Sequence, residues 1–535
     1  MRSSSQHSFA VVPSVNIPRS SFKRNMTYKT TMNAGYLNPV FIDEVLPGDT
    51  FNLKLTSFMR ILSPLKYPIM DNLYCDFQFF FVPVRLVYDE YEEFFGSSAG
   101  KDGKWQFDDS HLMPGITSPS GGWTVGSLGD FFGLPIGVDN IRTLALPFRA
   151  YNLVVGDWYR PSSYELECPE VKTDSTDDDP SIYTLQKRLK RADYYTAALI
   201  DAQRGPGVEL PLQGSAPVLN DPKAGTRLSF GYSDHIVQGT LSMAGGNNYG
   251  DAWVGDIVDP APSTPIDTRL RADMSSVSAA TINSLRQAFQ LQVALERDMR
   301  GGVRYVSQLL SHFGVRSPDA RLQRSEYLGG GSSPIQIHTV ANTNGAQDST
   351  QASLAAYGVG AQSTVGFVKS FVEHGYVIGI ASVRADLTYQ QGIPRMFDRF
   401  ARFDFYYPVF ANLGEQVVKN KEIFAQGSTV KDSSGNVVDE QPFGYQERFA
   451  EYRYGVSKIC GELRSTAPEP LDSWHLAQKF NNLPKLNMEF LEENVPMSRV
   501  KAVVDGPDFL YDSFIQLNCV RPMPLFGVPG FGGHF

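Results

Sequence analysis

Residues 76–95, DFQFFFVPVRLVYDEYEEFF, hold the feature that most restricts how this chain can fold: a run too apolar to face water on either side. Side chains of an extended strand alternate between two faces, so Phe77, Phe79 and Phe81 point one way while Phe80 and Val82 point the other. Such a strand belongs between two covering layers. The block before it, residues 33–51 (NAGYLNPVFIDEVLPGDTF), carries turn punctuation at Asn33-Ala34-Gly35 and at Leu46-Pro47-Gly48-Asp49. Strand-like windows recur at residues 50–61, 73–84, 376–388 and 401–409. In the third, Tyr376, Ile378 and Ile380 alternate with Val377, Gly379 and Ala381, so both faces are again mostly apolar. Strands this far apart must pair through non-local contacts, which is the pattern of a sandwich or jelly roll with long insertions.

The chain has 535 residues, of which 42% are apolar and 12% aromatic, enough for a large core. Its prolines and glycines are spread along the chain, favouring many short elements joined by defined turns. Helices are the exception. Residues 281–300 place Ile282, Leu285, Phe289 and Val293 at helical spacing before Gly301-Gly302, and a shorter helix with Val303, Val306, Leu310 and Phe313 stops at Gly314. Both read as amphipathic helices lying on the sandwich. Residues 181–199 read as a third helix, with Leu185 and Leu189 inward. Residues 210–274 shift to Gly, Ser, Pro and Asn and read as a surface insertion, and residues 521–535 as an extended tail. No internal repeat is found, so one elaborated domain at residues 43–535 is expected.

Charge is distributed unevenly. No Asp or Glu precedes Asp43, while Arg2, Arg19, Lys23, Arg24 and Lys29 do; with a net charge of −9 overall, those five cations leave −14 on the body. A basic arm over residues 1–42 is suited to contact with a polyanion, although an ordinary exposed terminus would look similar. The second basic feature is Lys187, Arg188, Lys190 and Arg191 followed by Tyr194 and Tyr195. Cations neutralise phosphates and tyrosines stack on unpaired bases, the combination used in sequence-tolerant single-strand binding. The bland reading is a helix whose basic face pairs with nearby acids.

Signatures of catalysis are missing. The glycine loop at residues 96–102 has one residue too few between its glycines for a phosphate loop, and Asp102 stands where a magnesium-binding hydroxyl is needed. Neither H-E-x-x-H nor G-x-S-x-G occurs. Asp174, Asp177, Asp178 and Asp179 lack the alternation and central glycine of a calcium loop and read as a solvated acidic loop. Glu373-His374, with Asp386 and Asp398, reads as structural rather than as an acid/base group. The four cysteines, Cys75, Cys168, Cys460 and Cys519, form no framework, and no apolar run reaches the ~18 residues that span a bilayer. No catalytic residue, metal or cofactor is expected, and no membrane insertion.

Beyond the two opening blocks, further blocks occur in order: YNLVVGDWYR at 151–160, KRADYYTAAL at 190–199, ERDMRGGVRYVSQLLSHFGV at 296–315, SPDARLQRSEYLGGG at 317–331, KSFVEHGYVIGIASVRADLTYQQG at 369–392, FGYQERFAEYRY at 443–454, LDSWHLA at 471–477 and the segment 521–535. Together they resemble the major capsid proteins of gokushoviruses, small icosahedral single-stranded DNA phages of the microvirus group. The resemblance implies a mainly β fold, an eight-stranded antiparallel viral jelly roll with long loop insertions and a few helices. It also implies a shell of sixty copies with T=1 geometry around circular single-stranded DNA, assembled in the bacterial host cytoplasm and located in the virion. Implied partners are a small basic packaging protein, a minor spike or pilot protein and a bacterial surface receptor. Residues 210–274 resemble the family's variable region, a protrusion thought to meet the host. The tail, GFGGHF at 530–535, lacks the acidic residue expected before its final His534-Phe535. The alternative from another class is a jelly-roll carbohydrate-binding protein or glycoside hydrolase, which requires a paired-carboxylate cleft.

Overall fold

The computed structural model describes residues 17–91, 94, 113–161, 163–164, 177–208, 281–343 and 353–526, together with the backbone of five short strands between residues 218 and 272. Arg2, Cys168, Asp174, the glycine loop at 96–102 and the tail from residue 527 lie outside the described residues.

Nine strands build one curled antiparallel sheet: β1 (Ser20–Lys23), β2 (Met26–Met32), β3 (Asn38–Val45), β4 (Thr50–Ile61), β5 (Leu73–Pro83), β6 (Glu326–Ala341), β7 (Leu354–Ser370), β8 (Gly375–Ala385) and β9 (Phe509–Arg521). Their order is β1/β2, β9, β4, β7, β6, β5, β8, β3, with β1 and β2 sharing one edge position along β9. Strand β6 pairs with β5 through Ile335 and with β7 from Gln336 onward, so it passes from one half of the sheet to the other. The two halves, β2-β9-β4-β7 and β3-β8-β5-β6, face each other as in an eight-stranded jelly roll. This is the expected fold class.

The core between them follows from strand alternation. Phe77, Phe79 and Phe81 of β5 meet Phe51 of β4, Phe367 of β7 and Phe509 of β9 in one buried cluster. The Phe79 and Phe367 rings lie 5.5 Å apart across the sandwich, and Phe81 lies 4.7 Å from Phe371. Burying each such ring stabilises the fold by about 1.5–3 kcal/mol. On the other side of β5, Phe80 and Val82 join Tyr376, Ile378 and Ile380 of β8 in a second cluster. Helix α1 (Leu146–Val154), with Pro147 in its first turn, supplies Leu146, Phe148, Tyr151 and Val154 to that layer. The two-faced strand read from residues 76–82 is therefore covered on both sides. At the predicted turn of residues 46–49, Gly48 adopts φ +90°, a conformation open mainly to glycine.

Two excursions hold most of the remaining chain: residues 84–325 between β5 and β6, and residues 386–508 between β8 and β9. The second has its own core, in which Val418, Ile423, Phe443, Ala450 and Phe490 pack with Tyr194 and Tyr195. Residues 203–297 form a compact unit distinct from the rest of the chain. Within it Leu228–Tyr232, His235–Gly239 and Ile257–Val258 form a three-stranded sheet, and Val218–Asn220 pairs with Leu270–Ala272. The insertion expected at 210–274 lies inside this unit's limits.

Four local expectations are corrected. Helices α2 (Ile282–Gly301) and α3 (Tyr305–Phe313) form as spaced, and Gly314 ends α3 in the left-handed conformation, but neither helix contains a buried residue. Leu310 and Phe313 of α3 are exposed, so its apolar stripe was legible and its covering layer was not. Residues 181–199 contain no long helix: after the short turn Pro180–Ile182 the chain is extended, bridging Tyr36 at Lys187, Glu492 at Leu189 and Tyr445 at Leu199. Residues 401–409 form two 3-10 turns rather than a strand. The acidic loop is solvated only in part: Asp177, which holds Arg142 at 2.7 Å, and Asp179, which caps Ser181, are exposed, whereas Asp178 is buried against Arg149 at 2.6 Å.

Candidate nucleic-acid interface

The two halves of the sandwich differ on their outer faces. Strands β5 and β8 are apolar on both sides and lie under α1, whereas β4 reads TFNLKLTSFMRI, apolar only at alternate positions. Phe51, Leu53, Leu55, Met59 and Ile61 point inward, leaving Lys54, Thr56, Phe58 and Arg60 exposed. On β9, Leu510, Phe514, Gln516 and Asn518 are likewise exposed between buried neighbours. Register brings these strands together: Phe58 opposes Asp512, which opposes Lys29 of β2, and Arg60 opposes Leu510 and through it Thr31. A shallow groove of about 630 Å³ runs here, lined by Lys29, Thr31, Phe58, Arg60, Leu510 and Asp512.

Electrostatically this face is cationic. Lys29 is paired with Asp512, while Lys23, Lys54 and Arg60 make no ion pair among the described residues. Phe58 and Phe514 stand between the cations as half-exposed rings. Cations spaced along an open groove with intervening aromatic rings can neutralise phosphates and stack on unpaired bases.

The structure distributes the sequence-predicted residues unevenly. Ser20–Lys23 and Met26–Met32 are edge strands, so residues 17–42 are built into the sheet rather than forming a loose arm. Lys23 and Lys29 reach the open face. Arg19 donates to Thr50 Oγ1 at 2.6 Å, and Arg24 makes a two-pronged bond to Asp43 at 2.5 and 3.1 Å, tying the start of the sheet to β3.

The 187–195 cluster is dispersed into internal contacts. Lys187 pairs with Glu492 at 3.1 Å, and Arg188 with Asp76 at 2.9 Å. Lys190 donates to Gln478 and to the Phe490 carbonyl and lies 4.4 Å over the Phe490 ring; burial pushes its pKa down to about 8. Tyr194 and Tyr195 are buried, donating to the Glu422 carboxylate at 3.1 Å and to the Glu422 carbonyl at 2.5 Å. Burial raises the pKa of both phenols and of Glu422, while the Arg395 guanidinium 2.8 Å away draws the Glu422 carboxyl back down. Of the six residues, Arg191 alone is exposed. The partners are hundreds of residues away in sequence, which is why local spacing resembled an open patch. Lys54 and Arg60 were missed, although the one-sided alternation of residues 50–61 was the available signal.

No acid/base group is assembled from the carboxylates weighed earlier. Glu373 pairs with Arg85 at 2.7 Å, Asp386 accepts from Asn72 at 2.8 Å, and Asp398 holds Lys419 and Lys421. Among the described residues no cluster of three potential metal ligands occurs, and no helix is long and apolar enough to cross a membrane.

A jelly roll that spends most of its chain on excursions is an architecture used by viral shell subunits and by other proteins, so the fold narrows the class without setting the function. The family comparison gives the particular assignment: a model described as capsid protein (F protein) matches residues 10–531, and the chain belongs to that family. It is 42% identical to capsid protein VP1 of Chlamydia phage 1 over 98% of this chain and 97% of the relative. With capsid protein VP1 of Bdellovibrio phage phiMH2K the identity is 43%, over 99% and 98% of the two chains. Capsid protein VP1 of Spiroplasma virus 4 is 35% identical over 98% and 97%. The gokushovirus-type resemblance is met across the whole chain. The protein is thus a structural component of the virion that assembles with copies of itself, not an enzyme, and the carbohydrate-binding or hydrolase alternative has no support.

Proposed function

We propose that sixty copies form a T=1 icosahedral shell around circular single-stranded DNA, with the outer face of β2-β9-β4 turned toward the genome. The observation that carries this reading is the asymmetry of the sandwich: one sheet is covered by α1 and its neighbours, while the outer face of the other is open among the described residues and bears Lys23, Lys29, Lys54 and Arg60 against Asp512. A face turned to a polyanion is expected to keep such charges open.

The net charge of −9 is poorly suited to condensing a genome alone, so a small basic packaging protein shares that role in this reading. Arg2 and Arg19 extend the basic character of the N-terminal segment, and Arg191 is a further exposed cation. Residues 210–274 present a surface to the bacterial receptor, a minor spike or pilot protein completes the particle, and assembly takes place in the host cytoplasm.

The test uses the full chain with Lys23→Gln, Lys54→Gln and Arg60→Gln combined, purified both as unassembled subunit and as particles. For single strands each neutralised phosphate contributes about 0.7 to the slope of log binding against log salt. The triple variant should therefore lose roughly 2 from that slope and package less nuclease-protected DNA. Particles with wild-type DNA content and an unchanged slope would reject the assignment of this face.

A further inference from the structure

The excursion between β8 and β9 carries a surface that the nucleic-acid reading leaves unexplained. Residues 397–413 read FDRFARFDFYYPVFANL, and their aromatic side chains are turned outward instead of forming the expected strand. Phe400 is 87% exposed and Val409 83%, with Phe397, Phe403, Phe405 and Tyr406 each half-exposed or more. Several of these rings touch one another. Phe403 packs edge-on against Phe410 at 5.6 Å, Arg448 bridges the Phe410 and Phe449 rings, and Tyr406 reaches Phe449 at 5.1 Å.

Its size exceeds what a free subunit normally shows. At about 200 Å² per ring, the exposed fractions of those five rings amount to roughly 600 Å². That is the upper end of the ~300–600 Å² found for the largest apolar patch of a monomer. Val409 and Leu413 add to it, bringing the patch toward the ~800 Å² per partner of a standard protein interface.

The patch is also fixed in shape. Asp404 accepts from the backbone of Phe400 and Ala401 at 2.9 and 2.7 Å, and Arg399 pairs with Glu451 at 2.8 Å while lying 4.3 Å over Tyr452. A preformed surface loses little conformational entropy when it is covered.

Charge selects the occupant. Arg395 is neutralised by Glu422, Arg399 by Glu451, Arg453 by Glu447, and Lys419 and Lys421 by Asp398 and Glu440. Arg402 and Arg448 make no ion pair among the described residues and lie instead over the faces of Phe403, Tyr407, Phe410 and Phe449, so most but not all of the surrounding cations are neutralised. Phenylalanine, tyrosine, methionine and arginine with few unpaired lysines make up the composition of a protein interface core.

We propose that residues 397–413 are a subunit contact, covered by a second copy of this chain. The inference rests on the shell reading and gives it a specific surface. The test compares full-length wild type with Phe400→Ser/Val409→Ser and with Val409→Glu alone, by sedimentation and electron microscopy. Both alterations lie at exposed positions, so the variant subunits should retain the wild-type circular dichroism and melting temperature. Shell yield should fall at least tenfold, with folded subunits accumulating as smaller species. Wild-type shell yield from the folded Val409→Glu variant would overturn the proposal. Normal shells with weakened binding of single-stranded DNA would overturn it in favour of a base-stacking surface. A wild-type chain that never forms shells under any assembly condition would instead sink the shell reading on which the proposal depends.

Discussion

Arg149 and Asp178 offer a quantitative test of how the covered half of the sandwich is held. The two side chains are only 1% and 2% exposed, and two bonds of 2.8 and 2.6 Å join the guanidinium to the carboxylate. Arg149 also donates to the Val87 carbonyl at 3.1 Å, and Tyr183 donates to the same carboxylate at 2.5 Å. Helix α1 is thereby clamped to the segment that follows β5 and to the 178–183 segment. Arg149→Met removes the cation and leaves the Asp178 carboxylate buried among apolar groups with the Tyr183 hydroxyl beside it. Breaking a buried pair in this way destabilises a fold by about 3–5 kcal/mol. Replacing both residues, as Arg149→Met with Asp178→Leu, removes both charges together. The Val87 carbonyl and the Tyr183 hydroxyl still lose a partner, at about 1–3 kcal/mol for each group left unsatisfied. The double variant should nonetheless be more stable than Arg149→Met by roughly 1–2 kcal/mol, since no uncompensated ion remains. Urea unfolding followed by tryptophan fluorescence reads this layer directly. Trp123 stacks on Phe148 of α1 at 5.3 Å, and Trp158 lies 5.6 Å from Phe80 of β5. A loss under about 1 kcal/mol for Arg149→Met, or a double variant less stable than the single one, would refute the reasoning.

Two further outcomes follow from burial. Lys190, held near 8 by desolvation, binds fewer protons when folded than its ordinary unfolded pKa of about 10.4 allows, so its contribution to stability should rise between about pH 8 and pH 10. The stability difference between wild type and Lys190→Met, measured by urea unfolding across that range, should shift toward wild type as pH rises; a flat or falling difference contradicts the assignment. Cys460 is exposed while Cys75 and Cys519 are buried in the sandwich, so a thiol reagent should modify Cys460 rapidly in the folded chain and reach Cys75 and Cys519 only on unfolding. Peptide mapping that finds Cys75 or Cys519 labelled early would contradict the packing.

How much of the molecule was legible depends on the range of the interaction involved. The run from Phe77 to Val82 declared its two buried faces because alternation is a property of adjacent residues, and β4 carries its single buried face in the same kind of alternation, a signal that went unread. Gly314 likewise ends α3 where the spacing stops. Residues 401–409 misled because alternating aromatics fit an exposed contact surface as well as a buried strand. The basic cluster at 187–191 misled for a different reason: its acids, Asp76 and Glu492, lie far away in sequence, and the extended segment that delivers them is not encoded by local propensity.

The sequence by itself determined which segments must be buried on two faces and the family to which the chain belongs. Those conclusions rest on local periodicity and on blocks in fixed order, both of which exist before any long-range contact forms. Only the tertiary structure decided which charges remain open. Lys23, Lys54 and Arg60 make no ion pair among the described residues because β1 and β4 lie at an open face there, while Lys187 and Arg188 are neutralised by the bridges that carry them past Glu492 and Asp76. A cation's neighbours are set by strand pairing across the whole chain, and no window of sequence contains them.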